Sequence, residues 1–177
     1  MLPAPTIRPA FAADAEALIA HKLKPRAEPD DNSTPLDPDQ PMRSVEQQRQ
    51  LLQRAVDRHD DLFLVAELDG RIIGCAEIVR STHPSARHVS RIAVDIDAAY
   101  RRQGIGTSLM LALLDWAKCH GLRRIQLSVF ARNTPAIALY HKLGFVEEGV
   151  HRMAFLKQGQ WIDEITMEMI LPEAASR

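Results

Sequence analysis

The residues best suited to chemistry form a short basic turn, R-R-Q-G-I-G at positions 101–106, between an apolar run and an apolar helix pattern. Gly104 and Gly106 carry no Cβ, so the backbone can bend tightly there and come close to a ligand. The first N–H groups of the following helix present the positive end of its dipole, which attracts anions. Arg101 and Arg102 add guanidinium groups that match phosphate oxygens. The turn predicts a binding site for a phosphate-bearing ligand, with an ordinary surface turn as the alternative.

Two common phosphate-binding loops do not fit this turn. The dinucleotide pattern G-x-G-x-x-G requires a third glycine where Leu109 stands. The nucleoside-triphosphate loop requires a lysine after its last glycine, and Thr107 follows Gly106 instead. The pattern R/Q-x-x-G-x-G/A does fit, with Arg101 and Gly104 in place. In this respect the turn resembles the pyrophosphate-binding segment of the GNAT superfamily of acetyl-coenzyme A-dependent N-acetyltransferases.

A second motif strengthens the resemblance. The superfamily pattern N-x-x-A-x-x-x-Y-x-x-x-G-F is met by Asn133, Ala136, Tyr140, Gly144 and Phe145. Its separation from the glycine turn is the one expected of the family, and the resemblance extends over residues 6–171. The ending of the chain is similar to that of bacterial small-amine and amino-acid N-acetyltransferases. Spermidine and ribosomal-protein alanine acetyltransferases share parts of it.

One segment departs from the family pattern. Between Val94 and Arg101 the family usually has Asp-Pro-x-Tyr, whereas residues 95–100 read D-I-D-A-A-Y, which is one residue longer and lacks the proline. The glycine turn itself is intact. The register of the strand residues carried over from the family can therefore shift by about one position.

The resemblance implies how acetyl-coenzyme A binds. The backbone of residues 92–94 would pair with the pantetheine arm as a neighbouring strand does. The amides of residues 102–107 would hold the pyrophosphate, and Asn133 would contact the pantetheine region as well as cap its helix. The cofactor-binding residues implied in this way are Ile92, Ala93, Val94, Arg101, Arg102, Gln103, Gly104, Ile105, Gly106, Thr107, Asn133 and Tyr140.

The reaction implied is transfer of an acetyl group from acetyl-coenzyme A to a primary amine by direct attack, without a metal or a covalent enzyme intermediate. Tyr140 is the expected general acid at the departing sulfur. It lies seven residues after Asn133, which is about two helical turns, so both side chains lie on nearly the same helix face. The alternative is a core tyrosine that packs against the sheet.

The general base is left open by the sequence. An amine with a pKa of about 10 must lose a proton before it attacks a thioester. The candidate bases are His88, at the start of the predicted strand 88–95, and Glu77, on the predicted strand 71–79. A water chain is the third possibility. The acceptor is a small-molecule amine, an amino acid or a peptide N-terminus. A non-catalytic coenzyme A-binding or regulatory module with the same fold is the alternative to an enzyme.

The elements that position these residues alternate along the chain as β-α-α-β-β-β-α-β-α-β-β. Asp14 is expected to cap the first helix, Ser44 and Gln47 to form a capping box, and Asp69-Gly70 to close a hairpin. Predicted strands cover residues 6–10, 62–68, 71–79, 88–95, 123–130, 145–156 and 161–171, and predicted helices cover 15–21, 44–59, 107–120 and 134–143. These elements predict an α/β (α+β) fold of the GNAT type, in which a mixed central sheet of about seven strands is flanked by about four helices.

Composition and length agree with one such domain over residues 1–177, with an acidic proline-rich loop at 24–43 and a frayed tail at 172–177. The formal net charge of -1 argues against a nucleic-acid partner. Cys75 and Cys119 show no metal-binding spacing and are expected to be buried packing residues. No signal peptide or membrane-spanning stretch is visible, so we expect a cytoplasmic protein without a membrane partner, with homodimerisation possible.

Overall fold

Seven strands and four α-helices follow one another in the predicted order. The computed structural model of the protein describes residues 4–23, 43–157 and 159–172. Within them the strands are β1 Thr6–Pro9, β2 Leu62–Leu68, β3 Arg71–Arg80, β4 Val89–Ile96, β5 Arg124–Phe130, β6 Val146–Lys157 and β7 Gln160–Ile170. The helices are α1 Ala15–Leu23, α2 Val45–Arg58, α3 Ile105–Cys119 and α4 Thr134–Leu143.

The strands form one mixed sheet in the order β1-β2-β3-β4-β5-β7-β6. The pairs β1–β2, β2–β3, β3–β4, β5–β7 and β6–β7 are antiparallel, because turns and hairpins join their strands or the chain returns along them. The pair β4–β5 is parallel, because α3 carries the chain back across the sheet between them. The predicted mixed sheet of about seven strands is therefore confirmed.

Helices cover both faces of the sheet. Strand β2 is buried on both faces, which explains why its sequence is almost continuously apolar. Leu64 and Ala66 face the core that α3 covers, whereas Phe63 and Val65 face the core that α1 and α2 cover. Alternate residues of a strand point to opposite faces, so a strand buried on both faces needs apolar residues throughout. The larger of the two cores includes the stripe of α3, made of Leu109, Met110, Leu113, Leu114 and Ala117.

Local signals fixed most helix ends. Gln47 N–H donates to the Ser44 hydroxyl at 3.2 Å and the Gln47 side chain accepts from Ser44 N–H at 2.8 Å, so the predicted capping box is present. Asn133 caps α4, and Gly144 ends it in a left-handed conformation. Gly121 lies just beyond α3 with φ +69°, and Leu122 N–H donates back to the Ala117 carbonyl at 3.1 Å, as in a glycine-terminated helix.

Four expectations about helices and cysteines were wrong. Asp14 does not cap the N-terminus of α1. Its carboxylate accepts from Phe11 N–H at 2.8 Å and pairs with Arg8, so it caps the 3₁₀ turn Ala12–Asp14 that precedes the helix. Helix α3 begins at Ile105 instead of residue 107, because the buried Ile105 side chain anchors the first turn despite its flanking glycines. Val56, which the apolar pattern of residues 51–56 predicts on the buried stripe of α2, is exposed, and so is Cys119.

The acidic loop predicted for residues 24–43 falls almost wholly in residues 24–42, outside the described residues, as do residues 173–177 of the predicted tail. None of the helices in the described ranges combines the length and the apolarity needed to cross a membrane.

Candidate active site

A cleft opens where the two parallel strands at the centre of the sheet separate. Strands β4 and β5 pair at three positions, ending with Arg91 opposite Gln126. Beyond that point β4 continues beside β3 as far as Ile96, while β5 continues beside β7 as far as Phe130. The edge of β4 after Arg91 therefore has no partner strand among the described residues. The space between the strands forms a cavity of about 210 Å³, called the cleft below, and its lining includes Ala93, Val94, Ser128, Val129, Phe130, Asn133 and Tyr140.

The glycine turn leads from the open end of β4 into α3. Gly104 has φ +83°, a conformation that glycine adopts without a Cβ penalty, and Arg102 adopts the left-handed region with φ +62°. A residue other than glycine that adopts a positive φ stores backbone strain, and such strain is concentrated at binding sites. Arg101 is partly buried and its Nε donates to the Ile96 carbonyl at 3.2 Å, so it braces the turn from inside. Gln103 is exposed, and its amide donates to the Ala99 carbonyl at 3.3 Å.

The N-terminus of α3 differs from those of α2 and α4 in its capping. Ser44 and Asn133 cap the other two helices with side-chain oxygens, whereas Gly104 holds the same position before α3 and makes no side-chain cap. The first N–H groups of a helix have no partners within the helix. The amides of Ile105, Gly106 and Thr107 therefore make this helix start suitable for an anion.

Gly106 lies inside the first turn of α3, where glycine weakens a helix. A Cβ at this position would lie 3.6 Å from Leu139 Cδ2, which is an ordinary van der Waals contact. Packing within the described residues therefore does not require glycine here. The small residue keeps the outer side of the turn open to a closely approaching ligand.

Helix α4 brings Asn133 and Tyr140 to the same cleft, as their seven-residue spacing predicts. The Asn133 side-chain oxygen accepts from Ala136 N–H at 3.3 Å, which confirms its capping role. The Tyr140 ring lies 6.0 Å from that of Phe145, centroid to centroid. Burial raises the pKa of the Tyr140 hydroxyl above its ordinary value of 10.0, so the group stays protonated through neutral and mildly alkaline pH. Tyr140 is thus suited to give a proton and unsuited to take one.

Of the two candidate bases, the structure brings only Glu77 to the cleft. Glu77 on β3 stands opposite Ala93 of β4, and Lys22 Nζ lies 3.6 Å from its Oε2. His88 is exposed just before β4 begins, and its carbonyl accepts from Arg123 N–H at 2.8 Å. Five residues of extended strand separate His88 from Ala93, which corresponds to about 17 Å. The cleft therefore gathers Glu77 and Tyr140, and His88 lies outside it.

The sequence did not point to the residues that α1 and α2 contribute to the cleft. Leu18 and Lys22 reach it from α1, and Gln48, which is almost fully buried, reaches it from α2. The sequence signal for Gln48 is its position three and four residues before Leu51 and Leu52, which places it on the apolar face of the helix. Lys22 carries no such signal, since a lysine in the last turn of a helix is common for electrostatic reasons alone.

A strand edge without a partner, followed along the chain by a helix start without a side-chain cap and lying beside a partly buried tyrosine, is typical of the acyl-coenzyme A-dependent transferases of mixed α/β fold. Residues 26–145 match the model of the Acetyltransferase (GNAT) family. The chain belongs to this family, and it is accordingly an acyltransferase of a family that uses acetyl-coenzyme A.

Three known proteins show how far the similarity extends. The L-amino acid N-acetyltransferase AaaT of Escherichia coli K12 is 30% identical over 122 residues, covering 67% of this chain and 74% of its own. A GNAT-family acetyltransferase from Streptococcus pneumoniae superimposes with a TM-score of 0.84 at 30% identity, over 95% of this chain and 99% of its own. A phosphinothricin acetyltransferase from Sinorhizobium meliloti in complex with acetyl-coenzyme A shares the fold, with a TM-score of 0.75 at 23% identity over 98% and 91% of the two chains.

Proposed function

We propose that the protein transfers the acetyl group of acetyl-coenzyme A to a primary amine of a small molecule, an amino acid or a peptide N-terminus, by direct attack. The observation that carries this proposal is the meeting of Glu77 and the protonated Tyr140 in one cleft beside the open edge of β4. Free α-amino acids are the first acceptors to test, because the relative from Escherichia coli is named an L-amino acid N-acetyltransferase.

The acyl donor binds along the path from the glycine turn to the cleft. The amides of residues 102–107 hold its pyrophosphate, and Arg102 adds a cation at the exposed side of the turn. The edge of β4 at Ile92–Val94 pairs with the pantetheine arm, since that edge has lost its strand neighbour. Asn133, at the start of α4, lies beside this path and contacts the same arm.

The chemistry needs one group to take a proton and one to give a proton. Glu77, directly or through a water molecule, takes the proton that the acceptor ammonium must lose. The amine nitrogen then bonds to the carbonyl carbon, the bond from that carbon to sulfur breaks, and the second proton that the nitrogen loses on becoming an amide leaves to solvent. Backbone N–H groups of β4 stabilise the developing negative charge on oxygen. The Tyr140 hydroxyl gives its proton to the departing sulfur, and solvent restores it.

Charge in the cleft favours a zwitterionic acceptor. Lys22, Glu77 and Asp95 all line it, so a cation stands beside two carboxylates on the side of α1. An α-amino acid presents the complementary pair, an ammonium and a carboxylate. We propose that Lys22 binds the acceptor carboxylate and that Glu77 faces its amino group.

A thiol-release assay tests this function directly. The protein is mixed with acetyl-coenzyme A and a panel of L-amino acids, polyamines, aminoglycosides and peptides with free N-termini, and free thiol is measured. Turnover with at least one amine, lost on removal of the Tyr140 hydroxyl, is the expected result. Tight binding of acetyl-coenzyme A without thiol release across the panel would point to the non-catalytic module instead.

A further inference from the structure

Three potential metal ligands from separate parts of the chain meet on the α1 side of the cleft. His21 of α1, Cys75 of β3 and Asp95 of β4 each place a donor atom within 4.8 Å of the other two. All three elements are well packed at this point, and Cys75 and His21 are buried. The proposed acetyl transfer assigns no role to His21 or Cys75, so their meeting needs a separate explanation.

The His21 ring is the least ordinary member of this group. Its side chain is 1% exposed, with Nε2 3.1 Å from Asp95 Oδ2 and Nδ1 3.0 Å from Asp97 Oδ1. These distances suit ion pairs, yet neither ring nitrogen makes a hydrogen bond within the described part of the chain. Buried polar nitrogens are nearly always satisfied by a partner. A ligand between the donors would supply one for Nε2.

We propose that His21, Cys75 and Asp95 bind a thiophilic divalent cation of the Zn²⁺ class. A nitrogen, a thiolate and a carboxylate oxygen are the donors that Zn²⁺ takes in proteins. Tetrahedral coordination at the usual bond lengths sets the donors about 3.3–3.8 Å apart, so small side-chain rotations bring this set into place. Asp97 stands at the other nitrogen of His21, where a carboxylate orients a metal-bound imidazole.

The position of the site gives the ion a consequence for the cleft. Cys75 and Asp95 line the cleft together with Lys22 and Glu77, so an ion held by His21, Cys75 and Asp95 would lie beside the place proposed for the acceptor. A bound cation there adds positive charge where the proposed function places the acceptor ammonium. The ion and the acceptor amine therefore compete, and Zn²⁺ acts as an inhibitor that leaves the acetyl-coenzyme A end untouched.

Metal binding is measured without any acetyl donor, so its outcome does not depend on the proposed function. Untagged, metal-free protein is titrated with Co²⁺ while its thiolate charge-transfer absorption is followed, and then with Zn²⁺ in a calorimeter. The expected result is one ion per chain. Cys75→Ser and His21→Gln should each bind at least about tenfold more weakly, in line with the loss of a ligand. Near-ultraviolet circular dichroism checks that both variants remain folded.

The second cysteine supplies the matched control. Cys119 is exposed at the end of α3, so Cys119→Ala removes a thiol without touching the site and should bind Co²⁺ as the parent protein does. The proposal is overturned if the parent protein takes up no ion in the micromolar range. It is equally overturned if Cys75→Ser binds as tightly as the parent, or if Cys119→Ala removes the absorption band.

Discussion

The two halves of β4 differ in the number of strands that pair with them. Ser90 and Arg91 pair with β3 on one side and β5 on the other, whereas the residues from Ile92 to Ile96 pair with β3 alone. In the first half the backbone is fully engaged and Ser90 is 2% exposed. In the second half one edge faces the cleft. A strand can thus be structural at one end and present a binding surface at the other, and residue types alone do not show which end is which.

The residues around each half follow the same division. At the paired end the Arg80 guanidinium donates to the carbonyls of Arg87 and His120, each at 2.6 Å, and ties β3 to the end of α3. At the open end Glu77 and Tyr140 face a cavity. Changes at the paired end should therefore alter stability, and changes at the open end should alter turnover.

The largest expected effect concerns the open end. Tyr140→Phe should lower kcat by about 10³-fold, because the departing sulfur loses its proton donor. Steady-state thiol release at saturating substrates measures the change. Tyr100→Phe is the control, since Tyr100 packs against the larger core beside the glycine turn and the parent rate should be kept. An unchanged kcat in Tyr140→Phe would remove the tyrosine from the mechanism.

A second pair of variants compares one carboxylate at the open end with one imidazole at the paired end. Glu77→Gln should lower kcat/KM for the amine by about 10²-fold, because Gln cannot take a proton. His88→Gln should leave it unchanged, since His88 lies beyond the cleft. Profiles of kcat/KM against pH for both variants and the parent test this contrast. If His88→Gln is the impaired variant, the assignment of the base is reversed.

Two glycines at opposite ends of α3 separate ligand binding from folding. Gly106→Ala should raise KM for acetyl-coenzyme A by about tenfold, because a methyl group crowds the approach to the helix start, yet folding should gain up to about 1 kcal/mol from better helix propensity. Gly121→Ala should instead lower the free energy of unfolding by about 1–2 kcal/mol, because alanine is strained at the φ of +69° found here. KM for acetyl-coenzyme A should not change. Urea denaturation and acetyl-coenzyme A titrations measure the two quantities. Equal KM values for Gly106→Ala and the parent would place the pyrophosphate elsewhere.

The smallest expected effect lies at the paired end. Burial raises the pKa of Asp61 above 3.8, although its carboxylate accepts from Arg80 N–H at 2.8 Å. A raised pKa in the folded state means that the contribution of this carboxyl to stability is fully present below pH 3.8 and is lost as the pH rises through the folded-state value. Asp61→Asn keeps the acceptor oxygen and removes the charge, so it should stabilise the protein at pH 7 by less than about 1 kcal/mol and lose this advantage near pH 3.5. Urea unfolding at the two pH values is the test, and a stability gain independent of pH would contradict it.

Local signals account for what the sequence predicted correctly. The capping box at Ser44, the Asp69-Gly70 hairpin and the cap at Asn133 each depend on residues within a few positions of one another, so their patterns survive in any fold that uses them. The order of strands and helices follows from the same kind of information. The spacing from Asn133 to Tyr140 is local as well, which is why the meeting of these two side chains in one cleft could be anticipated.

The rest depended on contacts between distant parts of the chain. The start of α3 was misplaced because the burial of Ile105 outweighs the poor helix propensity of its glycine neighbours. Lys22 reaches the cleft, and His21 reaches Asp95 and Asp97, only because α1 packs against this part of the sheet. No pattern around residue 21 indicates this packing. The position of His88 relative to the cleft depends on where β4 and β5 separate, which the sequence of neither strand shows.

Where β4 and β5 separate, residues 92–96 of β4 have no partner strand on the side of β5 among the described residues. An acyl donor lying along this edge would make the hydrogen bonds that an adjacent strand makes elsewhere, so occupancy and cooperative unfolding become linked equilibria. The backbone amides of residues 92–96 that point away from β3 should exchange slowly with deuterium when the donor is present and quickly when it is absent, while those at 89–91 remain protected throughout. A bound acyl donor would then act as a reversible neighbouring strand of the sheet.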